Sequence, residues 1–261
     1  MTDITITFAA LSDVGLARSI NEDAFQLTDL STGASFDASP SNGHFSVGPR
    51  GALLTLSDGM GGHAAGEVAS STVISSVRAT LQAGGEAPAE QRLEAAVRRA
   101  NADVIEAAQI KGRHGMGATL TAVLVDQTTA YVAEVGDSRA YLFRDGRARQ
   151  LTEDHSWVQE QVRAGLVSAD DVMVSRFRNI ITRSVGFEAG ASPDILTMLV
   201  ETGDCFLLCS DGLCNYFSAE ELGVVLSGHF YGEAGSALVT LANERGGDDN
   251  ITCVCIHVAN D

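Results

Sequence analysis

The stretch LLTLSDGMGGH, Leu53 to His63, decides how the rest of the sequence is read. An apolar, strand-like run stops at Asp58, and glycines and a histidine follow at once. The pattern returns in CFLLCSDGL, Cys205 to Leu213, again an apolar run ending in Ser-Asp-Gly. Two central strands therefore each deliver a carboxylate, Asp58 and Asp211, at a C-terminal end. Further acids stand at strand borders. They are Asn21-Glu22-Asp23, Gly136-Asp137-Ser138 after YVAEV, and Gly246-Gly247-Asp248-Asp249-Asn250 before a last strand. Any one Asp-Gly is ordinary turn chemistry. Together, the carboxylates converge on one rim, where like charges raise one another's pKa and weaken the fold. A divalent cation removes that conflict. Carboxylate oxygen, backbone carbonyl and water suit Mg²⁺ or Mn²⁺. Gly59 lets the backbone beside Asp58 come close to such an ion.

Around these acids the hydrophobic pattern predicts strands at Ile4–Phe8, Ala24–Leu30, Ala52–Leu56, Ala118–Val125, Ala130–Val135, Ile195–Val200, Cys205–Cys209 and Ile251–Val258. Tyr141–Phe143 and Ala148–Leu151 flank an Asp-Gly hairpin turn. Helices are expected at Gly66–Gln82, after Pro88, at Ser218–Ser227 and at Ala234–Glu244. Trp157–Ser175 reads as a poorly apolar helix and a surface flap, and Ser31–Pro49 as a loop with a short strand near His44–Val47. Strands and helices do not alternate regularly, which favours α+β layers of mainly antiparallel sheet over a doubly wound fold.

The 261 residues, 45% hydrophobic and 20% charged, suit one globular domain spanning 1–261. A net charge of −17 repels nucleic acid and anionic membranes. No apolar run approaches the ~20 residues of a membrane span. The first residues lack the basic and apolar regions of a signal peptide. Five cysteines without CxxC spacing fit reduced thiols and a cytoplasmic location.

With these residues placed, the chain resembles the metal-dependent Ser/Thr protein phosphatases of type 2C, in their bacterial branch. The motifs fall in the family's order between Asp13 and Val258. They are RSINEDA at Arg18, LSDGMGGHAAGEVAS at Leu56, MGATLTAV at Met116, VGDSRAYL at Val135, LTEDHS at Leu151, RNIITRSVG at Arg178, LLCSDGL at Leu207 and GGDDNITCV at Gly246. The resemblance implies a four-layer αββα sandwich: two mainly antiparallel sheets flanked by helices, with the site at one end and a flap at about 156–178. It implies a dinuclear Mn²⁺ or Mg²⁺ centre. Asp58 bridges, the Gly59 carbonyl serves the first metal, and Asp211 and Asp249 serve the second. Glu22 and Asp23 hold metal-bound water, and Asp137 binds a weaker third ion. A hydroxide bridging the metals then attacks phosphorus. Arg18 grips the phosphoryl group, and His63 protonates the leaving oxygen. Phosphorylated proteins are the implied substrates, with a bacterial Ser/Thr kinase and its targets as partners and a monomer as the working form.

The sequence departs from the bacterial pattern before Arg178, where MVSRFRN replaces the usual His-Pro and bears on substrate preference. Ser175 is a further candidate for the third ion. None of the cysteines carries the Arg six residues on that a cysteine phosphatase needs. The alternative is an inactive scaffold that binds phosphoproteins or a kinase. It would show lost ligands, and none is lost.

Overall fold

The computed structural model describes residues 4–61, 64–168, 177, 180–187, 192–229 and 231–260. Two sheets carry the architecture. In the first, β1 (Ile4–Asp13) and β13 (Ile251–Asn260) pair at the centre, in the order β10-β9-β12-β13-β1-β4. Here β4 is Ser41–Ser46, β9 Arg139–Arg144, β10 Arg147–Gln150 and β12 Cys205–Cys209. The second sheet runs β11-β8-β7-β5-β2-β3, with β6 added against β5. Its strands are β2 (Asp23–Asp29), β3 (Ser35–Phe36), β5 (Ala52–Met60), β6 (Gly117–Ala118), β7 (Leu120–Asp126), β8 (Thr129–Val135) and β11 (Asp194–Leu199). Among the described residues the strand pairings are antiparallel.

Three apolar layers hold the sheets and helices together. Phe8, Leu54, Leu56, Phe206 and Val254 fill the space between the sheets. Leu53 points the other way on β5, toward Val73 and Val77 of α1 (Ala64–Ala83) and Leu93 and Val97 of α2 (Ala89–Ala107). This is why Ala52–Leu56 is apolar on both faces. The outer face of the first sheet lies under α4 (Asp211–Cys214), α5 (Ala219–Gly228) and α6 (Tyr231–Glu244), through Leu213, Leu222 and Leu238. Each fully buried aliphatic side chain contributes roughly 1.5–3 kcal/mol. The four-layer expectation agrees with this arrangement.

Local chemistry sets several boundaries. Asp145 and Gly146 both have positive φ, the signature of the tight turn between β9 and β10. A capping box between Ser218 and Glu221 starts α5. One expectation needs correction and another is extended. Among the described residues, the helix read over Trp157–Ser175 ends as α3, Trp157–Arg163; a Ser156 hydroxyl cap starts it, and turns and bends follow through 167. Residues 169–176, including Ser175 and Arg176, lie outside the described residues, as do 178 and 179. The segment Ser31–Pro49 contains the short strand expected near His44–Val47, as β4 at Ser41–Ser46, and adds β3. It leaves the edge of one sheet as β3 and joins the edge of the other as β4, pairing with β1. Phe36 and Phe45 stack at 6.1 Å, and Phe36 meets Phe8 at 4.8 Å, so this crossing closes one side of the sandwich with aromatic rings.

Candidate metal centre

Strand β5 continues past the expected end at Leu56. Asp58 therefore lies inside the ladder, opposite Asp23 of β2, with Gly59 opposite Ala118 of β6. Pairing on both flanks holds the Asp58 backbone more firmly than a strand end would. Gly59 is required by close approach. A Cβ there would stand 2.1 Å from the Gly66 carbonyl oxygen and 2.7 Å from that of Glu22. The first turn of α1 is thus pressed against the strand beside the acid.

A cleft of about 270 Å³ opens at this point. Arg18, Glu22, Asp58, Gly59, Asp137, Asp211 and Asp249 all line it, from segments spread over the whole chain. Asp211 follows β12 as the first residue of α4. Asp137 occupies the turn after β8, and Asp249 comes two residues before β13. Asp248 turns away and accepts a hydrogen bond from the Tyr216 hydroxyl at 2.9 Å, so Asp249 is the acid of that pair in the cleft. Arg18 stands at the rim, half-exposed, and donates to Asp249 Oδ2 at 2.7 Å. Asp23 is set one layer back. It accepts from the Ser210 hydroxyl at 2.8 Å and lines the neighbouring groove between β2 and α1. His63 lies outside the described residues.

The electrostatics are those of crowded acids. Burial, then the charges of Asp23, Asp211, Asp137 and Asp249, push the Asp58 carboxyl well above its usual range. Burial and then Asp211 and Asp154 do the same for Asp137. Burial first raises Asp211 to about 6, with Asp249 next in weight, and Asp23 to about 7. The charge of Asp211 in turn helps raise Asp58, so the two carboxyls lie close enough to oppose each other's ionisation. Asp137 Oδ1 and Asp211 Oδ1 are buried and accept no hydrogen bond. The donors are all oxygen, their charges repel, and buried lone pairs are left over. That set fits hard divalent cations such as Mg²⁺ or Mn²⁺. Among the described residues no three His, Cys, Asp or Glu side chains form a complete ion site by themselves. Such ions take backbone carbonyls and water as further ligands.

Three supporting residues are given no role by the sequence reading. Asn250, buried, accepts from the Glu22 N–H and donates to the carbonyls of Val14 and Ile20, tying the Arg18 loop to β13. His155 grips Gly136 from both sides: its N–H donates to the Gly136 carbonyl at 2.7 Å, and its Nδ1 accepts from the Gly136 N–H at 3.0 Å. Burial, and then the charge of Arg183, lower its pKa and keep the ring neutral. Glu134, on β8, is buried and accepts from Thr121 Oγ1 at 2.8 Å.

Comparison with known proteins gives the family. The family profile of protein phosphatase 2C matches residues 24–251. A serine/threonine phosphatase, stp, of Listeria innocua is 37% identical over 213 residues, covering 78% of this chain and 83% of the relative. The crystal structure of the Mycobacterium tuberculosis serine/threonine phosphatase PstP superposes with a TM-score of 0.82 at 34% identity, covering 98% of this chain and 100% of that one. A PstP catalytic domain in complex with two manganese ions superposes at 0.80 with 33% identity and the same coverage. The chain is therefore a member of the protein phosphatase 2C family, the metal-dependent serine/threonine protein phosphatases.

Proposed function

We propose that the carboxylate cleft hydrolyses phosphoserine and phosphothreonine in proteins, with divalent ions held by Asp58, the Gly59 carbonyl, Asp211 and Asp249. Asp137 would take a third, weaker ion, and Glu22 and Asp23 would orient water around the pair. The observation that carries this reading is the gathering of acids whose pKa values rise in one cleft, where among the described lining residues Arg18 at the rim is the guanidinium. Bound there, Mn²⁺ or Mg²⁺ supplies Lewis acidity, acidifying a water and neutralising charge on the phosphoryl oxygens.

The chain's own groups do the rest. Asp58, held by β2 on one side and by Thr119 on the other, sets where cations sit. Arg18 offers a half-exposed planar fork to two phosphoryl oxygens at the rim. The cleft of about 270 Å³ has room for a phosphorylated side chain presented on a protein surface. The surrounding acids exclude anionic groups that bring no cation with them. Since the substrate is a phosphorylated side chain, the enzyme that supplies it is a Ser/Thr protein kinase. The five cysteines are free and buried, in keeping with a reducing cytoplasm, and we take the working form as a monomer.

The test is phosphate release from a phosphothreonine peptide with Mn²⁺, with excess chelator, and in Asp58→Asn. Turnover that survives chelation or the substitution would sink the reading. An inactive scaffold would bind the peptide and release no phosphate under any metal.

A further inference from the structure

We propose that Thr119 is a positioning residue for the reaction: its side chain aims Asp58 and locks it to the turn that carries Asp137. The proposal rests on the reading of Asp58 as a metal ligand.

The ladder beside Asp58 is interrupted at one rung. On either side of it β5 keeps a single register, with Leu56 opposite Thr121 and Gly59 opposite Ala118. The same register sets Asp58 opposite Thr119. A regular hydrogen-bonded rung exchanges two backbone bonds. One is present: the Thr119 N–H donates to the Asp58 carbonyl at 2.8 Å. The other is replaced. The Asp58 N–H donates to Thr119 Oγ1 at 2.9 Å, and the Thr119 carbonyl accepts from the Ser57 hydroxyl instead. Two side-chain hydroxyls thus stand in for one backbone bond, at the place where the opposing strand divides into β6 and β7. With a regular rung, the Asp58 peptide would be drawn into the flat ladder and its carboxylate re-aimed.

The same side chain reaches the turn of the second acid. Thr119 Oγ1 lies 2.8 Å from Ser138 Oγ, next to Asp137. Its methyl fixes the other side of that turn. Gly136 has φ of +123°, and a Cβ there would stand 2.6 Å from Thr119 Cγ2. Ser57, Thr119 and Ser138 are all buried, so water does not replace a lost bond. One threonine therefore joins acids from two different strand connections, through its hydroxyl to Asp58 and Ser138 and through its methyl to Gly136.

Valine at this position keeps the shape and loses the hydroxyl; serine keeps the hydroxyl. Mn²⁺ binding to the whole chain is measured by calorimetry, with thermal unfolding and phosphopeptide kcat and KM alongside. In Thr119→Val we expect the Mn²⁺ dissociation constant to rise ~10-fold or more, the scale of lost outer-shell support. The variant's kcat at saturating Mn²⁺ falls and its KM for peptide stays put. Thr119→Ser returns both Mn²⁺ affinity and kcat close to wild type. A folded valine variant with wild-type Mn²⁺ affinity and kcat overturns the proposal, as does a serine variant as impaired as the valine one. If the valine variant does not fold, Ser57→Ala decides. A raised Mn²⁺ dissociation constant in a cooperatively folded protein supports the interrupted rung, and an unchanged one overturns it. Asp58→Asn run alongside separates the two layers. If it binds Mn²⁺ normally, the ligand reading itself fails; if it loses Mn²⁺ while Thr119→Val does not, only the Thr119 assignment fails.

Discussion

Acids inside this molecule are treated in contrasting ways. Asp204 is fully buried, and Arg144 meets it with Nε at 2.6 Å and Nη2 at 2.7 Å. Asp154 is treated the same way by Arg139, at 2.8 and 2.7 Å. Each of these carboxylates has a planar fork that satisfies both oxygens. In the cleft, Asp58, Asp137 and Asp211 crowd together with raised pKa values, and among the described lining residues the one guanidinium, Arg18, is spent on Asp249. The fold can pair buried acids well, and in the cleft it does not. Charge compensation there is left to something that binds.

The sharpest way to break this comparison is to neutralise an acid of each kind. Asp58→Asn should cut phosphopeptide turnover at least ~1000-fold, since several kcal/mol of charge stabilisation goes with the ion. The fold should persist, because a repelling charge has been removed. A circular dichroism spectrum and a phosphate-release assay on one sample check both halves. Arg144→Met should do the reverse. Leaving Asp204 buried and unpaired should lower stability by about 3 kcal/mol, the low end for a broken buried pair, because the guanidinium is 27% exposed. Mn²⁺ affinity should stay unchanged. Urea unfolding and calorimetric titration would decide, and a shifted Mn²⁺ constant would blur the two classes.

Arg18 belongs to both sides of the comparison, because it pairs with an acid yet faces the cleft. Arg18→Ala should raise the peptide KM by about tenfold, near the lower bound for a charge-assisted hydrogen bond, with a smaller fall in kcat. Lysine should restore only part of this, lacking the fork. An unchanged KM in the alanine variant would leave Arg18 a structural partner of Asp249.

The smallest effect concerns Glu134, a buried acid with no arginine and no place in the cleft lining. Burial pushes its carboxyl well above 4.5. The folded state therefore holds this proton to higher pH than the unfolded one, and the stability it contributes is lost as pH rises through the folded pKa. Glu134→Gln removes that loss. The variant should match wild type near pH 4.5 and gain on it as pH rises, by about 1.4 kcal/mol per pH unit at most. Melting curves from pH 4.5 to 8 should show a gap widening by a few degrees. A constant gap would mean that Glu134 does not titrate in this window.

The acids of the cleft were legible because their signal is local. Ser-Asp-Gly after an apolar run marks Asp58 and Asp211, and Gly-Gly-Asp-Asp-Asn marks Asp249. The supports were not. Thr119 and His155 act through backbone groups far away in sequence, and a strand's composition does not say where its ladder breaks. β4 escaped full recognition because SNGHFS has little apolar alternation; it is a strand by virtue of the β1 edge it joins. α3 ended early because nothing apolar follows Val162 on its buried face before Leu166, which is exposed. α4 is too short for periodicity to register.

The central pairing of β1 with β13 bears on how the protein comes into being. Ile4 lies opposite Asn260 and Asp13 opposite Ile251, so the middle of one sheet waits for nearly the whole chain. Contacts this distant in sequence slow folding. They also make assembly conditional on synthesis. Until β13 leaves the ribosome, β1 and β12 have no neighbour between them, and Asp249 has not yet been made when Asp58 and Asp211 already have. A chain cut short before Asp249 loses a central strand and a cleft acid together. An incomplete product is thereby kept from being a partly built phosphatase at large among phosphorylated proteins.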